Sequence, residues 1–408
     1  MSLENKKILI IIGGGISAYK ALDLIRLLQR RKAYVKVILT KSGKKFVTSL
    51  SVSSLLKTRV FEDTFENKLK GKIDHISLSR WADLILVLPA TANFMSKLSR
   101  GNADDLASTV ILASNKDIFL APAMNVRMWI HKATQKNLKT LIEYGYRFIG
   151  PEDGEMACGE FGKGKMSSSI KILSFLENFF KKKDYFKKRK IKAIVTSGPT
   201  REYLDPVRYI TNESSGKQGY EIAKELSRLG IRTTLISGPS NIIHTKELRV
   251  KKVTSGTQML GMIKKSLPAD IAVCAAAVSD FKPIEVKKNK IKKEKKMSEI
   301  KVEKNVDILG YLGANNRYKP KILVGFSAET ENIIENSKKK MEEKFCDLMV
   351  ANDVSNPDFG FNKDFNEVTI IDKNGKTDKI KKSSKKFIAS IIVRKIIKTF
   401  LSNEKKFN

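Results

Sequence analysis

The feature that most restricts what this chain can fold into is an alternation that occurs twice. In the first 125 residues, the apolar runs KKILIII (6–12), YVKVILT (34–40), ADLILVLPAT (82–91) and DIFLAPAMN (117–125) each lead through small, hydroxyl, proline or asparagine residues toward a helical segment. Between the first two lies AYKALDLIRLLQR (18–30), with apolar residues at helical spacing. Continuous apolar strands alternating with amphipathic helices predict a parallel sheet covered on both faces, with ligand chemistry at the carboxyl ends of its strands. The pattern restarts with KAIVTSGPT (192–200), TTLISGPS (233–240), DIAVCAAAVSD (270–280), KILVGFSAET (321–330) and DLMVAND (347–353). The expected fold is therefore α/β, with two doubly wound domains.

FKKKDYFKKRK (180–190) reads as a charge block without core periodicity, which puts the boundary between domains 1–190 and 191–408. Asn374-Gly375 between two strand-like runs predicts a hairpin, and an amphipathic helix from Ser384 to Leu401 closes the chain. The lysine-dense stretch 285–305 reads as a mobile loop of the second domain.

Composition narrows the function classes. A chain of 408 residues with 41% hydrophobic and 30% charged residues is that of a folded soluble protein. No apolar run approaches the roughly 20 residues a membrane helix requires. The start MSLENKKILIIIGGG imitates a signal peptide, but its apolar stretch is only Ile8 to Ile12, so a first strand and a cytoplasmic location are expected. Three widely spaced cysteines, Cys158, Cys274 and Cys346, fit neither a disulfide framework nor a zinc site. The formal charge of +35 raises nucleic acid as a partner, but the lysines are spread along the chain and no nucleic-acid motif accompanies them. Neither a nucleic-acid nor a membrane partner is expected.

GEFGKGKM (159–166) spells most of a P-loop, yet Met166 stands where the magnesium-binding hydroxyl belongs, and no flanking strand and helix are evident. Gly13, Gly14 and Gly15 suit either a tight turn or the approach of a phosphate to a helix start, with Ser17 and Thr40 as nearby hydroxyls. Asn93 in PATANF and Asn125 in PAMN read as ligand contacts or as helix caps, and Asp104 and Asp105 of GNADDL as caps before catalysts. A nicotinamide site would want an acid at the end of the second strand, where this chain has Thr40.

Read in order, GGGISAYKALDLIRLL, DHISLSRWADLILVLPATAN, GNADDL, APAMN and MACGEFGKGKM resemble the homo-oligomeric flavin-containing cysteine decarboxylases. The second half, through TSGPTREYLDPVRYITNESSGKQG, AAAVSDF, VGFSAET and VANDVS, resembles phosphopantothenate-cysteine ligases. Nearly the whole chain is thus similar to the bifunctional decarboxylase-ligases of coenzyme A biosynthesis. The resemblance implies a flavodoxin-like flavoprotein domain followed by a Rossmann-like ligase domain. It further implies FMN as the electron sink for decarboxylation, and CTP with Mg2+ for activating 4'-phosphopantothenate as an acyl-cytidylate that L-cysteine attacks. A trimer-based homo-oligomer such as a dodecamer is implied as well.

Carried over motif by motif, the resemblance assigns FMN contacts to Gly14, Gly15, Ser17, Thr40, Ala90, Thr91 and Asn93. Gly13 replaces the family's usual hydroxyl residue, a loss for which Ser17 would compensate. His75 corresponds to the active-site histidine, Asn125 to the residue that binds the substrate carboxylate, and Cys158 to the acid that protonates the enethiolate. In the ligase half, Asn212 corresponds to the acyl-cytidylate contact; on the residues alone it reads equally as a turn or as a cap for a helix beginning near Ser215. CTP contacts fall on Ala275, Ala276, Ala277, Asp280, Lys290, Asn305, Val306, Asp307, Ile308, Phe326, Lys340 and Lys344, with Lys290 also counted as catalytic. Lys340 and Lys344, one turn apart, would meet a triphosphate together. Val306 stands where the family usually shows Pro. No metal ligands are legible.

Overall fold

The computed structural model describes residues 3–63, 74–245, 248–292, 299–354 and 363–406. It forms two compact units, Met1–Lys182 and Lys183–Asn408. The first unit runs β1 (Lys7–Ile12), α1 (Tyr19–Arg30), β2 (Tyr34–Leu39), α2 (Ser49–Leu56), α3 (Asp74–Trp81), β3 (Leu84–Ala90), α4 (Ala92–Ser99), α5 (Leu106–Leu112), β4 (Asp117–Pro122), α6 (Val126–Ile130), α7 (Lys132–Glu143), β5 (Arg147–Phe148), β6 (Glu152–Glu155) and β7 (Phe161–Lys165). Its main sheet is parallel, in the order β2-β1-β3-β4-β5.

All seven residues of β3 are buried, because alternate side chains serve opposite faces. Leu84, Leu86 and Leu88 pack with Leu24, Ile25 and Leu28 of α1. Ile85 and Val87 pack with Phe94, Met95 and Leu98 of α4. Each such buried aliphatic side chain contributes about 1.5–3 kcal/mol. The order of the strands reverses at the β1/β3 junction, the place where doubly wound sheets open a crevice at their carboxyl ends.

The helix α8 (Ser169–Lys188) runs through the division at Lys182/Lys183, and Phe186 shows that the charge block 180–190 does carry a core position. Phe186, seven residues after buried Phe179, is fully buried in the second core, where its ring meets that of Phe400 at 6.2 Å. Tyr185 packs edge-on against Phe186 at 5.3 Å, and the surrounding lysines hid this aromatic pair from a periodicity count.

The second unit continues with β8 (Lys192–Ser197), β9 (Glu202–Tyr203), β10 (Tyr209–Ile210), α9 (Lys217–Arg228), β11 (Arg232–Ser237), β12 (Arg249–Lys252), α10 (Gly256–Ser266), β13 (Ile271–Cys274), β14 (Phe281–Pro283), β15 (Val302–Lys304), α11 (Ile308–Gly313), β16 (Ile322–Glu329), α12 (Ile333–Glu343), β17 (Leu348–Asp353), β18 (Phe365–Asp372), β19 (Thr377–Ser384) and α13 (Lys385–Lys406). The sheet order is β12-β11-β8-β13-β16-β17-β18-β19, parallel through β17, with the β18–β19 hairpin antiparallel at one edge. Its reversal lies between β8 and β13. The lysine-dense stretch 285–305 is not loop throughout: its residues Val302–Lys304 form β15, antiparallel to β14, and its residues 293–298 lie outside the described residues.

Glu404 of α13 fastens this unit. It accepts hydrogen bonds from the Tyr185 hydroxyl and, at 2.9 Å, from Lys321 Nζ. These two partners hold its carboxyl below the usual carboxylate range. A depressed carboxylate contributes stability above its unfolded pKa, and that stability is lost as pH falls through the folded value. Glu404→Gln should therefore lower unfolding stability by about 1–2 kcal/mol at pH 7. The difference from the unaltered protein should shrink toward zero in acid, as read from urea midpoints across a pH series.

Candidate active sites

In the first unit, the carboxyl ends of β1, β2 and β3 meet around the three glycines. A Cβ on Gly13 would lie 2.2 Å from the Pro89 carbonyl oxygen, and one on Gly14 would lie 2.5 Å from Ser42 Cβ. No hydroxyl side chain fits at position 13 on this backbone, so its glycine answers the close approach of Pro89. Gly15, at φ 152°, turns the chain into the short 3-10 segment Ile16–Ala18, where Ser17 is half-buried. The cradle thus presents backbone and Ser17 to the β1/β3 crevice, which suits a phosphorylated planar ligand.

The hydroxyl of Thr40 donates to Ile12 O at 2.9 Å and accepts from Gly43 N at 3.0 Å, so Thr40 shapes the cradle wall. Ala90 is buried at the end of β3. Thr91 caps α4 by accepting from Phe94 N at 3.2 Å; the cap expected of Asn93 is therefore taken, and Asn93 is exposed in the first turn. Asp105 caps α5 in a reciprocal box with Ser108, and Lys97 pairs with both Asp104 and Asp105, which makes this cluster a helix start.

Asn125 is both cap and candidate ligand contact. Its Oδ1 accepts from Arg127 N at 2.8 Å and Met128 N at 3.4 Å. With the carbonyl end fixed, the amide Nδ2 is turned outward, donating to Cys158 Sγ at 3.6 Å and to Glu160 Oε2. Both residues lie in the turn of the hairpin β6–β7, on either side of Gly159 at φ 80°.

The hairpin lies directly on the Asn125 segment. Met124 N donates to Gly164 O at 3.1 Å, and a Cβ on Gly164 would lie 2.3 Å from Met124 O. Gly162 likewise faces the Val126 side chain at 3.2 Å. Cys158 is the exposed cysteine, while burial pushes the thiol of Cys346 up to about 12 and that of Cys274 higher still. His75 sits in the first turn of α3, half-buried, with Nδ1 covered and without a hydrogen-bond partner. Its neighbour Asp74 pairs with Arg59 at 2.9 Å.

In the second unit a cavity of about 300 Å³ opens at the β8/β13 reversal. It gathers Asn212, Ala275, Ala276, Ala277, Asp280, Phe326 and Lys340 from the residues expected on the sequence. Asn212 does not cap α9; Gly216, at φ 73°, does so without a side-chain hydrogen bond, and Asn212 Nδ2 donates instead to Val278 O at 3.1 Å. Lys344 follows the last residue of α12 and binds Asp307 at 2.7 Å, a bond that raises its pKa. Lys340 lines the cavity, and Lys344, one turn on and bonded to Asp307, lies beside the lining, so that both ammonium groups lower the pKa of Asp307.

Asn305, Val306, Asp307 and Ile308 adjoin the cavity without lining it: Asn305 N donates to Asp280 O at 2.8 Å. Asp307 caps α11, and Ile308 is buried. The N–H that Val306 has and a proline would lack is satisfied by Asn305 Oδ1 at 2.9 Å. Lys290 is exposed and outside the cavity lining.

Sequence reasoning missed several lining residues. Ser214, Ser215, Gly216 and Lys217 form a glycine turn into α9, a signal that SSGKQG carried and that suits a phosphate. Lys385, nearly fully buried, and Asn352 and Asn366 come from β17, β18 and the start of α13, where nothing local marks them. Also missed was Asp205, whose buried carboxylate accepts from Val207 N, Arg208 N and Ile291 N at 2.7, 2.8 and 3.1 Å, anchoring the residue next to Lys290. Among the described residues, no group of three His, Cys, Asp or Glu side chains could hold a metal, and no helix is long and apolar enough to cross a membrane.

Comparison with known proteins agrees with this two-part layout. Residues 1–181 match the Flavoprotein family, and residues 188–400 match the DNA/pantothenate metabolism flavoprotein C-terminal domain. The chain is 40% identical over 401 residues to the coenzyme A biosynthesis bifunctional protein CoaBC of Haemophilus influenzae, covering 98% of this chain and 99% of that protein. It is 40% identical over 396 residues to the Bacillus subtilis protein of the same name, covering 97% of each. The Vibrio cholerae relative is 39% identical over 398 residues, covering 97% of this chain and 98% of that one. The first unit is thus of flavoprotein type, and the chain as a whole belongs to the family of coenzyme A biosynthesis bifunctional proteins.

Proposed function

We propose that the second unit joins L-cysteine to 4'-phosphopantothenate with CTP, and that the first unit decarboxylates the resulting 4'-phosphopantothenoylcysteine to 4'-phosphopantetheine. The observation that carries the reading is the meeting of a fixed amide, Asn125 Nδ2, with an exposed thiol, Cys158, on a hairpin seated over it.

In the first unit the Gly13–Gly15 cradle, Ser17 and Thr91 would hold FMN, with Ala90 beneath. Bound there, the flavin supplies the reversible two-electron chemistry that protein side chains lack. Asn125 orients the substrate carboxylate, its own carbonyl end being fixed by α6. The hairpin keeps water from the reacting atoms and carries Cys158, which gives its proton to the enethiolate carbon after carbon dioxide has left. His75 acts as base or orients the substrate. The reading includes a trimer-based assembly such as a dodecamer, whose neighbouring copies would complete the flavin site. Exposed Leu50, Ile130 and Ile170 in this unit, and Phe281, Ile284 and Val286 in the other, support assembly between copies.

In the second unit a carboxylate oxygen of 4'-phosphopantothenate attacks the α-phosphorus of CTP and pyrophosphate leaves; the cysteine amine then attacks the acyl carbon and expels CMP. Asn212 and the alanines line the acyl-cytidylate, while the open start of α9 with Lys217, Lys340 and Lys385 meets the triphosphate. Magnesium would enter on that triphosphate, with Asp280 as the carboxylate at hand.

The test is a pair of half-reactions on purified protein. Supplied with CTP, magnesium, 4'-phosphopantothenate and cysteine, it should release pyrophosphate and then carbon dioxide; failure to release either sinks the reading. Asn212→Ala should lower pyrophosphate release by about 10²- to 10³-fold, the scale for one donor aimed at developing charge. It should leave carbon dioxide release from preformed 4'-phosphopantothenoylcysteine unchanged.

A further inference from the structure

We infer that Glu160 competes with the substrate carboxylate for the amide of Asn125, acting as an internal stand-in that the substrate must displace. The inference rests on the reading of the first unit as a decarboxylase. Two backbone N–H groups of α6 fix the amide plane of Asn125 through Oδ1, so its two N–H hydrogens have set directions. One faces Cys158 Sγ at 3.6 Å and the other is taken by Glu160 Oε2. A substrate carboxylate that binds this amide needs a hydrogen that Glu160 now holds, and two like charges do not share one donor.

The displacement is a side-chain rotation. The main chain of Glu160 is held by Met156 N, which donates to Glu160 O at 2.9 Å. A second partner stands ready, since Arg127 Nε lies 3.9 Å from Glu160 Oε1 and the arginine side chain is 89% exposed. The product has no carboxylate at that position. Loss of carbon dioxide therefore returns the amide to Glu160 and restores the arrangement in which Cys158 Sγ lies 3.6 Å from Asn125 Nδ2. Glu160 is thus a positioning residue that occupies the amide of Asn125 whenever no substrate carboxylate is present.

The test is isothermal titration of the flavin-loaded full chain with two ligands. One is the serine analogue of the substrate, which keeps the carboxylate but has oxygen in place of the reactive sulfur. The other is 4'-phosphopantetheine, which lacks the carboxylate. Glu160→Ala should bind the serine analogue about tenfold more tightly, the scale of one charge-assisted hydrogen bond. Binding of 4'-phosphopantetheine should stay within about twofold. Glu160→Gln, which keeps the size and removes the charge, should shift in the same direction by less, and it stands in should the alanine variant not fold. Equal shifts for both ligands would mean a loosened hairpin and overturn the inference, as would no shift for the serine analogue. If the unaltered protein releases no carbon dioxide from 4'-phosphopantothenoylcysteine, the decarboxylase reading falls and this inference with it. Carbon dioxide release without the ligand-specific shift removes the inference alone.

Discussion

Replacing Cys158 with Ser is expected to lower steady-state formation of 4'-phosphopantetheine by about 10³-fold while pyrophosphate release by the second unit stays within about twofold. Serine matches the shape of the thiol but is a far weaker acid, so the hairpin should seat as before while proton delivery to the enethiolate fails. The other two cysteines cannot substitute. Cys346 is buried and its thiol pushed up to about 12, and Cys274 is pushed further in the same direction by burial. Both also belong to the second unit. The measurement is product formation from preformed 4'-phosphopantothenoylcysteine, run beside the CTP-dependent assay. A serine variant within tenfold of the unaltered rate would remove Cys158 from the chemistry.

The second large effect is expected at Gly164. Its missing side chain lets β7 lie against the Asn125 segment, with a would-be Cβ only 2.3 Å from Met124 O. That neighbour is a backbone atom, so no rotamer change relieves the clash. Gly164→Val should lift the hairpin, break the contact between Asn125 and Cys158, and lower 4'-phosphopantetheine formation by about 10²-fold or more, as misplacement of reacting groups by about 1 Å does. The flavin cradle around Gly13–Gly15 is built from other strands, so the purified variant should keep its flavin absorbance. Retained flavin with lost turnover is the expected pair; normal turnover would show that the hairpin need not sit on Asn125.

Much of the fold was legible because buried parallel strands leave a local trace. The run LILVLPA could hardly be anything but a strand covered on both faces, and every residue of it is buried. The continuation of α8 through Phe186 was not legible, since one adjacent pair of aromatics, Tyr185 and Phe186, among lysines carries too little periodicity to reveal a helix. The P-loop spelling of GEFGKGKM misled in another way. Gly159 forms the hairpin turn, while Gly162 and Gly164 belong to a strand and answer a close approach to Val126 and Met124, residues more than 30 positions earlier.

The resemblance supplied Asn125 and Cys158 as names, but their roles in local structure came from elsewhere. Asn125 aims its amide because α6 needs a cap, and the cap holds the carbonyl end. Glu160 had no signal at all; it matters because the hairpin turn brings its carboxylate to that amide. In the ligase cavity SSGKQG could have been read as a phosphate turn, whereas Lys385 could not. It lies 168 positions after Lys217, and only the antiparallel addition of β18 and β19 returns the chain to the same cavity.

Residue order alone was enough for the strand-helix alternation, the two sheets and the glycine turn of the first unit, since hydrophobic burial and backbone freedom act over a few neighbouring residues. The pairing of Asn125 with Cys158 and Glu160, the bond of Lys344 to Asp307, and the arrival of Lys385 at the cavity of the second unit required the folded chain. Such contacts depend on which distant backbones approach closely enough to touch, and no local propensity encodes that distance.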